Sequence, residues 1–453
     1  MAYSTSQLKT TLAGPQPSPG ICGDASDELH PVSGLNSRPV VLVIRDVSEM
    51  ESHLPAIEEL AQAAAEPNVF YEPWMLLPAI DYFGRDADLL FVLVYSGAAS
   101  IPGSSAVAQT VSLRLLSPDD ENEATGTHQL LGFFPLEQSI GYRRLPLRVL
   151  RLWRHDQCAL CTPLVRRGFA KEAVASFLNW ALSAETRSHL IEFGLISGEG
   201  DFSTALKQYL SGHSIRYFKS DWFSRAFFQP AADAESYLRQ AKGRRHRKDI
   251  ARRQARLAAE GRMEYANLTD PAEIEAWTNS FLELEASGWK GRSQSALACV
   301  IGGAAFLTAI VKGAFVRNRL MMLGIRLDGI PIAAKLNFIA GNGSFAFKIA
   351  FDEAYRDFSP GLLLEVENIR SLHEMPEIEW MDSCAAPRHP MIDYLWPGRR
   401  AIETILIPGG RKSGGLILAT FPLLRLIKQT ARRSAAMIRS LVSRTIQSRS
   451  KRL

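Results

Sequence analysis

Three alternating apolar runs, RLMMLGIRLDG, IPIAAKLNFIAG and SFAFKIAFD, follow one another between Arg319 and Asp352 with only Asp328-Gly329 and Gly341-Asn342 at the junctions. Period-two alternation places side chains on opposite faces of a pleated strand, and the two dipeptides suit tight hairpins. This stretch therefore demands an antiparallel meander. Immediately after it comes DEAYRDFSPG, then LLLEVENIR with helical spacing. Ser359 suits an N-cap and Pro360 the first helical position. A helix that starts there points unpaired amides and the positive end of its dipole at the loop. Such a junction is either plain punctuation or an anion site.

The same order of elements occurs earlier in the chain. VVLVI from Val40 reads as a strand, HLPAIEELAQAAAE and EPWMLLPAIDYF as helices, and LLFVLVY, VAQTVSLRLL and HQLLGFFPLE as strands. RVLRLW and CALCTPLV continue the strand pattern, FAKEAVASFLNWALS is an amphipathic helix, and LIEFGLI and RYFKSDWFSRAF close the unit near Pro230. A chain of 453 residues with 46% hydrophobic and 22% charged residues can fill two cores. The expected organisation is α+β, twice. The expected boundaries are a Ser/Gly/Pro-rich segment over 1–38 without fixed structure, a first unit over 39–231, a second over 232–413, and a basic amphipathic tail over 414–453. The second unit is expected to open with one helix from Ala234 to Glu260 and to end with IEWMDSC as a strand, HPMIDYLW as a helical turn and AIETILI as a strand.

Five cysteines make no even disulfide framework, which points to a reducing compartment. Cys158-x-x-Cys161 has no second pair at zinc spacing and no thioredoxin-like context, so both are expected as buried strand residues. A secretory leader is not expected from the N-terminal residues, and the longest apolar run, LILATFPLLRLI, is too short to span a bilayer. The net charge of +5 is concentrated in GRRHRKDIARRQAR and in the tail. The first has no interleaved aromatics for a nucleic-acid reader, and substrate attraction or an interdomain contact is the expected role. The tail has the composition of an interfacial helix for an anionic membrane, or of a solvated extension. The expected location is cytoplasmic, with peripheral contact at the inner face of the membrane.

The segments GRRHRKDIARRQARLAAEG, FLELEASGWKG and GIPIAAKLNFIAGNGSFAFKIAFDEAYRDFSPGLLL resemble the GNAT acyltransferase superfamily, in its BioF-like or cellulose-biosynthesis CelD-like branch. EPWMLLPAIDYF, LLGFFPLE and CTPLV give the first unit a similar cast. The resemblance implies two tandem GNAT-like domains, the first degenerate, with acetyl-CoA or another acyl-CoA as co-substrate and no metal. It also implies a pyrophosphate loop of the form Gln/Arg-x-x-Gly-x-Gly/Ala, whose places are taken here by Arg356, Ser359 and Gly361. The acyl-pantetheine arm would lie between SFAFKIAFD and IEWMDSC, where a backbone N–H polarises the thioester carbonyl and Lys348 and Asp352 share one strand face. Acyl transfer needs a base for the acceptor and an acid for the leaving thiolate. Tyr394 stands where the superfamily often keeps its acid, and Asp382, His389 and Glu285 are candidate bases. The branch implies a sugar, glycolipid or polysaccharide precursor as acceptor. Tandem GNAT-like units are also similar to the Fem-type aminoacyl-tRNA-dependent transferases. A third reading is an inactive scaffold in exopolysaccharide assembly.

Overall fold

The computed structural model describes residues 38–97, 129–143, 145–241 and 243–424, together with 426 and 430. In the first unit β1 (Val40–Ile44), β2 (Asp88–Tyr95), β3 (Leu130–Tyr142) and β4 (Leu145–Leu152) form an antiparallel meander, with β5 (Leu164–Val165) as a short addition to β3. The Ala170–Ala181 helix then leads to β6 (Leu190–Ser197), which runs parallel to β4. That helix buries Ala173, Val174, Phe177, Leu178 and Ala181, one helical stripe, and Phe177 stacks on Phe134 of β3 at 4.1 Å. The Asp201–Gly212 helix and β7 (Phe218–Phe228) complete the unit.

The second unit repeats the plan. β8 (Met263–Asn267), β9 (Leu320–Leu327), β10 (Ile330–Ala340) and β11 (Gly343–Phe351) form the meander, turning at the two expected dipeptides. The Pro360–His373 helix leads to β12 (Trp380–Asp382), parallel to β11. A helical turn, Ile392–Leu395, precedes β13 (Gly398–Pro408). The architecture is α+β, as expected.

The two units share one sheet through an exchange of strands. The order is β1-β2-β3-β4-β6-β13-β7-β12-β11-β10-β9-β8. Thus β13, last in the chain, lies antiparallel between β6 and β7, while β7 borders β12. The crossing point is held by Asp382, fully buried on β12. Its carboxylate meets Arg225 of β7 at 2.6 and 2.8 Å and Arg400 of β13 at 3.0 Å, and accepts the Cys384 amide at 2.9 Å. Burial opposes ionisation there, but Arg225 and Arg400 outweigh it and hold the carboxyl below its usual value.

Several segments depart from the sequence expectation. The helix expected from Ala234 to Glu260 is two, Ala234–Ala241 and Arg244–Ala258, because Gly243 takes the extended N-cap conformation of the second. The CALC segment is buried but is loop rather than strand. Cys161 N–H donates to the Leu195 carbonyl at 3.0 Å and Thr162 Oγ1 accepts the Ser197 amide at 2.9 Å, so it meets β6 by isolated bonds instead of a ladder. The Gly414–Leu424 helix packs Leu418 and Phe421 onto Tyr142, Val149, Leu190 and Leu406, leaving Leu416, Leu423 and Leu424 exposed. VAQTVSLRLL, the insert after it, the segment 1–37 and most of the tail lie outside the described residues. Among the described residues no single helix is long and apolar enough to cross a membrane.

Removing Asp382 would strand two buried guanidiniums, so Asp382→Ala is expected to cost about 3–5 kcal/mol. Urea unfolding of the full chain checks this. A loss within experimental error would show that the strand exchange does not depend on the ion pairs.

Candidate active site

The parallel pair at the centre of the second unit is short. β11 and β12 are in register only from Gly343↔Trp380 to Phe345↔Asp382. Beyond that point β11 continues to Phe351 while β12 has ended, so the sheet opens. The opening coincides with a bulge: Leu336 pairs with Lys348 and Asn337 with Ala346, which leaves Phe347 as the extra residue. A bulged residue is outside the ladder, and Phe347 has no register partner on either neighbouring strand.

Beneath the opening lies a buried polar network. Lys335 Nζ of β10 is 2.9 Å from Glu365 Oε2 of the Pro360–His373 helix, with both side chains almost wholly buried. Asn368 Nδ2 donates to Glu365 Oε1 at 3.0 Å, and Asn337 Nδ2 donates to Asn368 Oδ1 at 2.9 Å. These groups tie the helix to the bulged strand pair and so fix the mouth of the opening.

Lys348, expected to face a co-substrate, belongs to a second charged cluster. Its Nζ is 3.4 Å from Glu285 Oε1, which also takes Lys290 Nζ at 3.0 Å, while Glu285 Oε2 accepts the Leu297 amide at 2.8 Å. Burial works against the Glu285 carboxylate, but Lys348 and Lys290 prevail and hold it below its ordinary value. Burial lowers Lys348, with Glu285 opposing. Glu285 thereby anchors two lysines and the start of the Leu297–Cys299 turn. Asp352, on the same strand face, caps the next turn by accepting the Ala354 amide at 2.9 Å.

The junction after the meander differs from an open phosphate cradle. Ser359 occupies the N-cap position in left-handed backbone (φ 56°) and its side chain does not cap the helix. Instead Ser359 Oγ accepts from Arg253 Nη1 at 2.8 Å, and Arg253 Nε is held by Asp249 at 2.9 Å. Pro360 has no N–H, and the Leu362 and Leu363 amides turn back to the Ser359 carbonyl. At most the Gly361 N–H remains to meet an anion. Gly361 is closed on one side, since a Cβ there would lie 3.3 Å from Phe351 Cδ1. Arg356 is exposed on the loop, where Arg256 covers the Phe358 ring at 5.1 Å.

Of the expected acid and bases, Tyr394 and His389 lie in the segment between β12 and β13. Tyr394 is on the Ile392–Leu395 turn, half-buried, with its ring 5.3 Å from that of His246. Burial and then Asp249 push its phenol up, so it keeps its proton at neutral pH. His389 is half-buried and burial lowers it. Its Nδ1 accepts the Ile392 amide at 3.3 Å, which assigns the proton to Nε2 and makes the neutral ring a donor there. Asp382 lies between Arg225 and Arg400, and Glu285 between Lys290 and Lys348, so each of these expected bases stands in the structure as an ion-paired carboxylate.

Residues 244–389 match the family model described as an acetyltransferase (GNAT) domain. No curated protein matches the chain. Among solved structures, FemX is similar at 10% identity and a TM-score of 0.47, over 81% of this chain and 97% of its own. A tandem GNAT protein from the clavulanic acid biosynthesis pathway is similar at 13% identity and a TM-score of 0.37, over 83% of this chain and 100% of its own. The C-terminal domain of a putative lysylphosphatidylglycerol synthetase from Agrobacterium fabrum gives 11% identity and a TM-score of 0.41, over 63% and 84%.

Lys290 and the Lys335–Glu365 pair are not marked by any motif, and Arg253 stands in the sequence only as one cation of the basic helix. Lys335 had a signal, a lone cation inside the apolar run IPIAAKLNF, which requires an internal partner once the strand is buried. Glu285 and Asp382 have folded-state values below their unfolded ones, so the stability they contribute is present above the ordinary carboxylate range and lost as pH falls through their folded values. Glu285→Gln is expected to flatten part of this acid-side loss, measured as unfolding free energy between about pH 6 and 3. An unchanged profile would show that Glu285 is not held as the contacts describe.

Proposed function

We propose that the second unit transfers an acyl group from an acyl-CoA thioester to an amine or hydroxyl of an acceptor. The observation that carries this reading is the opening of the β11–β12 pair beside the unpaired Phe347 backbone. A thioester carbonyl placed there would receive the Phe347 N–H, a dipole aimed where negative charge develops. Attack by the acceptor heteroatom forms the new bond to the carbonyl carbon, and collapse breaks the C–S bond. The Tyr394 phenol supplies the proton to the departing thiolate, and the proton of the acceptor leaves to solvent. Asp382 and Glu285 have no part in that proton's removal, so an amine that reacts in its neutral form is the favoured acceptor group. Arg356, the Gly361 N–H and the surplus lysine charge beside Glu285 are the groups that would meet CoA phosphates. A sugar or envelope-polysaccharide precursor is the acceptor class, at the cytoplasmic face of a membrane.

A second reading takes aminoacyl-tRNA as donor. It is favoured by the reduced phosphate cradle, in which Arg253 already holds Ser359, and by a stripe of exposed cations. Arg245, Lys248, Arg252 and Arg256 recur at intervals of three and four along the Arg244–Ala258 helix and so share a face. A backbone-binding surface of that kind would lose affinity steeply with salt.

Calorimetric titration of the full chain with acetyl-CoA separates the readings. Saturable binding that Arg356→Ala weakens, and a Tyr394→Phe variant slowed about 10²–10⁴-fold in kcat with KM little changed, are the outcomes expected of the first. Absence of CoA binding together with salt-sensitive binding of charged tRNA would replace it with the second. Absence of both would leave a scaffold. The tail is tested apart: deletion after Gly414 should abolish binding to vesicles rich in phosphatidylglycerol, and unchanged binding rejects the membrane role.

A further inference from the structure

The first unit has an opening of its own, built like that of the second but furnished differently. β4 and β6 run parallel only from Val149↔Leu190 to Arg151↔Glu192 and then diverge. The deep part of the gap is filled by the Cys158–Thr162 loop through its bonds to Leu195 and Ser197. The outer part is a cavity of about 260 Å³ whose lining includes Arg143, Arg151, Arg154, Glu192, Gly194 and Thr404. Three guanidiniums thus face one carboxylate, a surplus of positive charge in a concave site.

Their convergence is visible in their common target. Burial pushes the Glu192 carboxyl up, and Arg151, Arg154 and Arg143 each pull it down. The fit between them is incomplete: Arg151 Nε is 3.7 Å from Glu192 Oε2, and the same nitrogen is buried without a hydrogen bond among the described residues. The unsatisfied nitrogen marks a charge pair that is not fully matched, beside the open space that Arg143, Arg151 and Arg154 line. The backbone around it is also held in unusual conformations. Arg143 (φ 49°) and Leu195 (φ 49°) are both left-handed without being glycine. At Leu195 the β6–β13 register slips, and the Leu195 amide turns to Thr404 Oγ1 at 3.3 Å. The bulge keeps Gly194 facing open space, with no atom within 4 Å of where a Cβ would stand.

We propose that this cavity is a binding site for a phosphoryl group, engaged by Arg143, Arg151 and Arg154. Planar guanidiniums form paired charge-assisted hydrogen bonds with phosphate oxygens, and three of them match a multiply charged oxyanion while Glu192 keeps the empty cavity from being a bare cationic cluster. The Arg143 guanidinium also lies over the rings of Tyr142 and Phe421, at 5.4 and 5.9 Å. The site therefore adjoins the Gly414–Leu424 helix, with its exposed leucines, and the phosphoryl group has two sources: a soluble phosphorylated molecule or a lipid headgroup.

The test uses the full chain and pyrophosphate as probe, by calorimetry. Saturable binding is expected to persist in an Arg356→Ala background, which removes the phosphate contact proposed for the second unit, and to weaken there at least about tenfold on adding Arg154→Gln or Gly194→Leu, whose side chain fills the cavity. Melting curves of the variants exclude misfolding as the cause, and Arg154, at the exposed rim, serves if Gly194→Leu does not fold. Vesicles containing phosphatidic acid form the second arm: Arg154-dependent binding that pyrophosphate displaces assigns the phosphoryl group to a lipid, and its absence assigns it to a soluble ligand. No saturable pyrophosphate binding, or binding that Arg154→Gln and Gly194→Leu leave intact, overturns the proposal. Acetyl-CoA titration of the same variants keeps the outcome separate from that of the second unit.

Discussion

Asp382 with Arg225 and Arg400 is the contact on which the arrangement of the whole chain turns. The three side chains come from β12, β7 and β13, which belong to distant parts of the sequence and meet where the two units exchange strands. A buried carboxylate between two buried guanidiniums does not favour folding by much against an apolar substitute of equal volume. What it supplies is register. No other seating of β13 between β6 and β7 brings Arg400 to Asp382, so alternatives would bury an unpaired charge. The loop from Asp382 to Gly398, which carries His389 and Tyr394, starts and ends at this contact and inherits its position from it.

The two units furnish one plan differently. Both have a fourth and a fifth strand that pair in parallel for three residues and then part. In the first, Cys161 and Thr162 stop the deep part of the gap, and the Cys158 and Cys161 sulfurs, 3.7 Å apart and buried, serve as apolar filling. A pantetheine arm could not pass there. In the second, the strand bulges at Phe347 beside the gap and the filling loop is lacking from the described contacts. The division of labour is a matter of which loop occupies the space between the same two strands.

Much of this was legible in the sequence, and the limits have physical reasons. The meander from Arg319 to Asp352 was fixed by period-two alternation and by Asp328-Gly329 and Gly341-Asn342, because those patterns are local. The helix after Pro360 and the turn at HPMIDYLW were readable for the same reason. The break at Gly243 was concealed by the strong helix formers around it. CALCTPLV resembled a strand since a buried wedge and a buried strand have the same apolar composition. The place of β13 could not be read at all: AIETILI states that it is a strand, while its neighbours are chosen by Asp382 and Arg400 across the fold. The surroundings of the candidate bases were hidden for a related reason. A sequence shows which carboxylates are present, but only the fold shows that Glu285 is paired with two lysines and Asp382 with two arginines.

The electrostatics beside the opening follow from that last point. Glu285 is shared by Lys348 and Lys290, so one negative charge is set against two positive ones in a largely buried cluster. If the cluster were only structural, a single lysine would neutralise the carboxylate at lower desolvation cost. The second lysine leaves a net positive charge at a place where water is scarce and fields are weakly screened. Lys290 also donates to the Ile349 carbonyl at 3.2 Å, on the strand that carries the Phe347 bulge. The surplus charge is therefore rigidly attached to the strand whose backbone would hold the thioester, so an anion drawn to it is brought to the opening rather than merely to the surface.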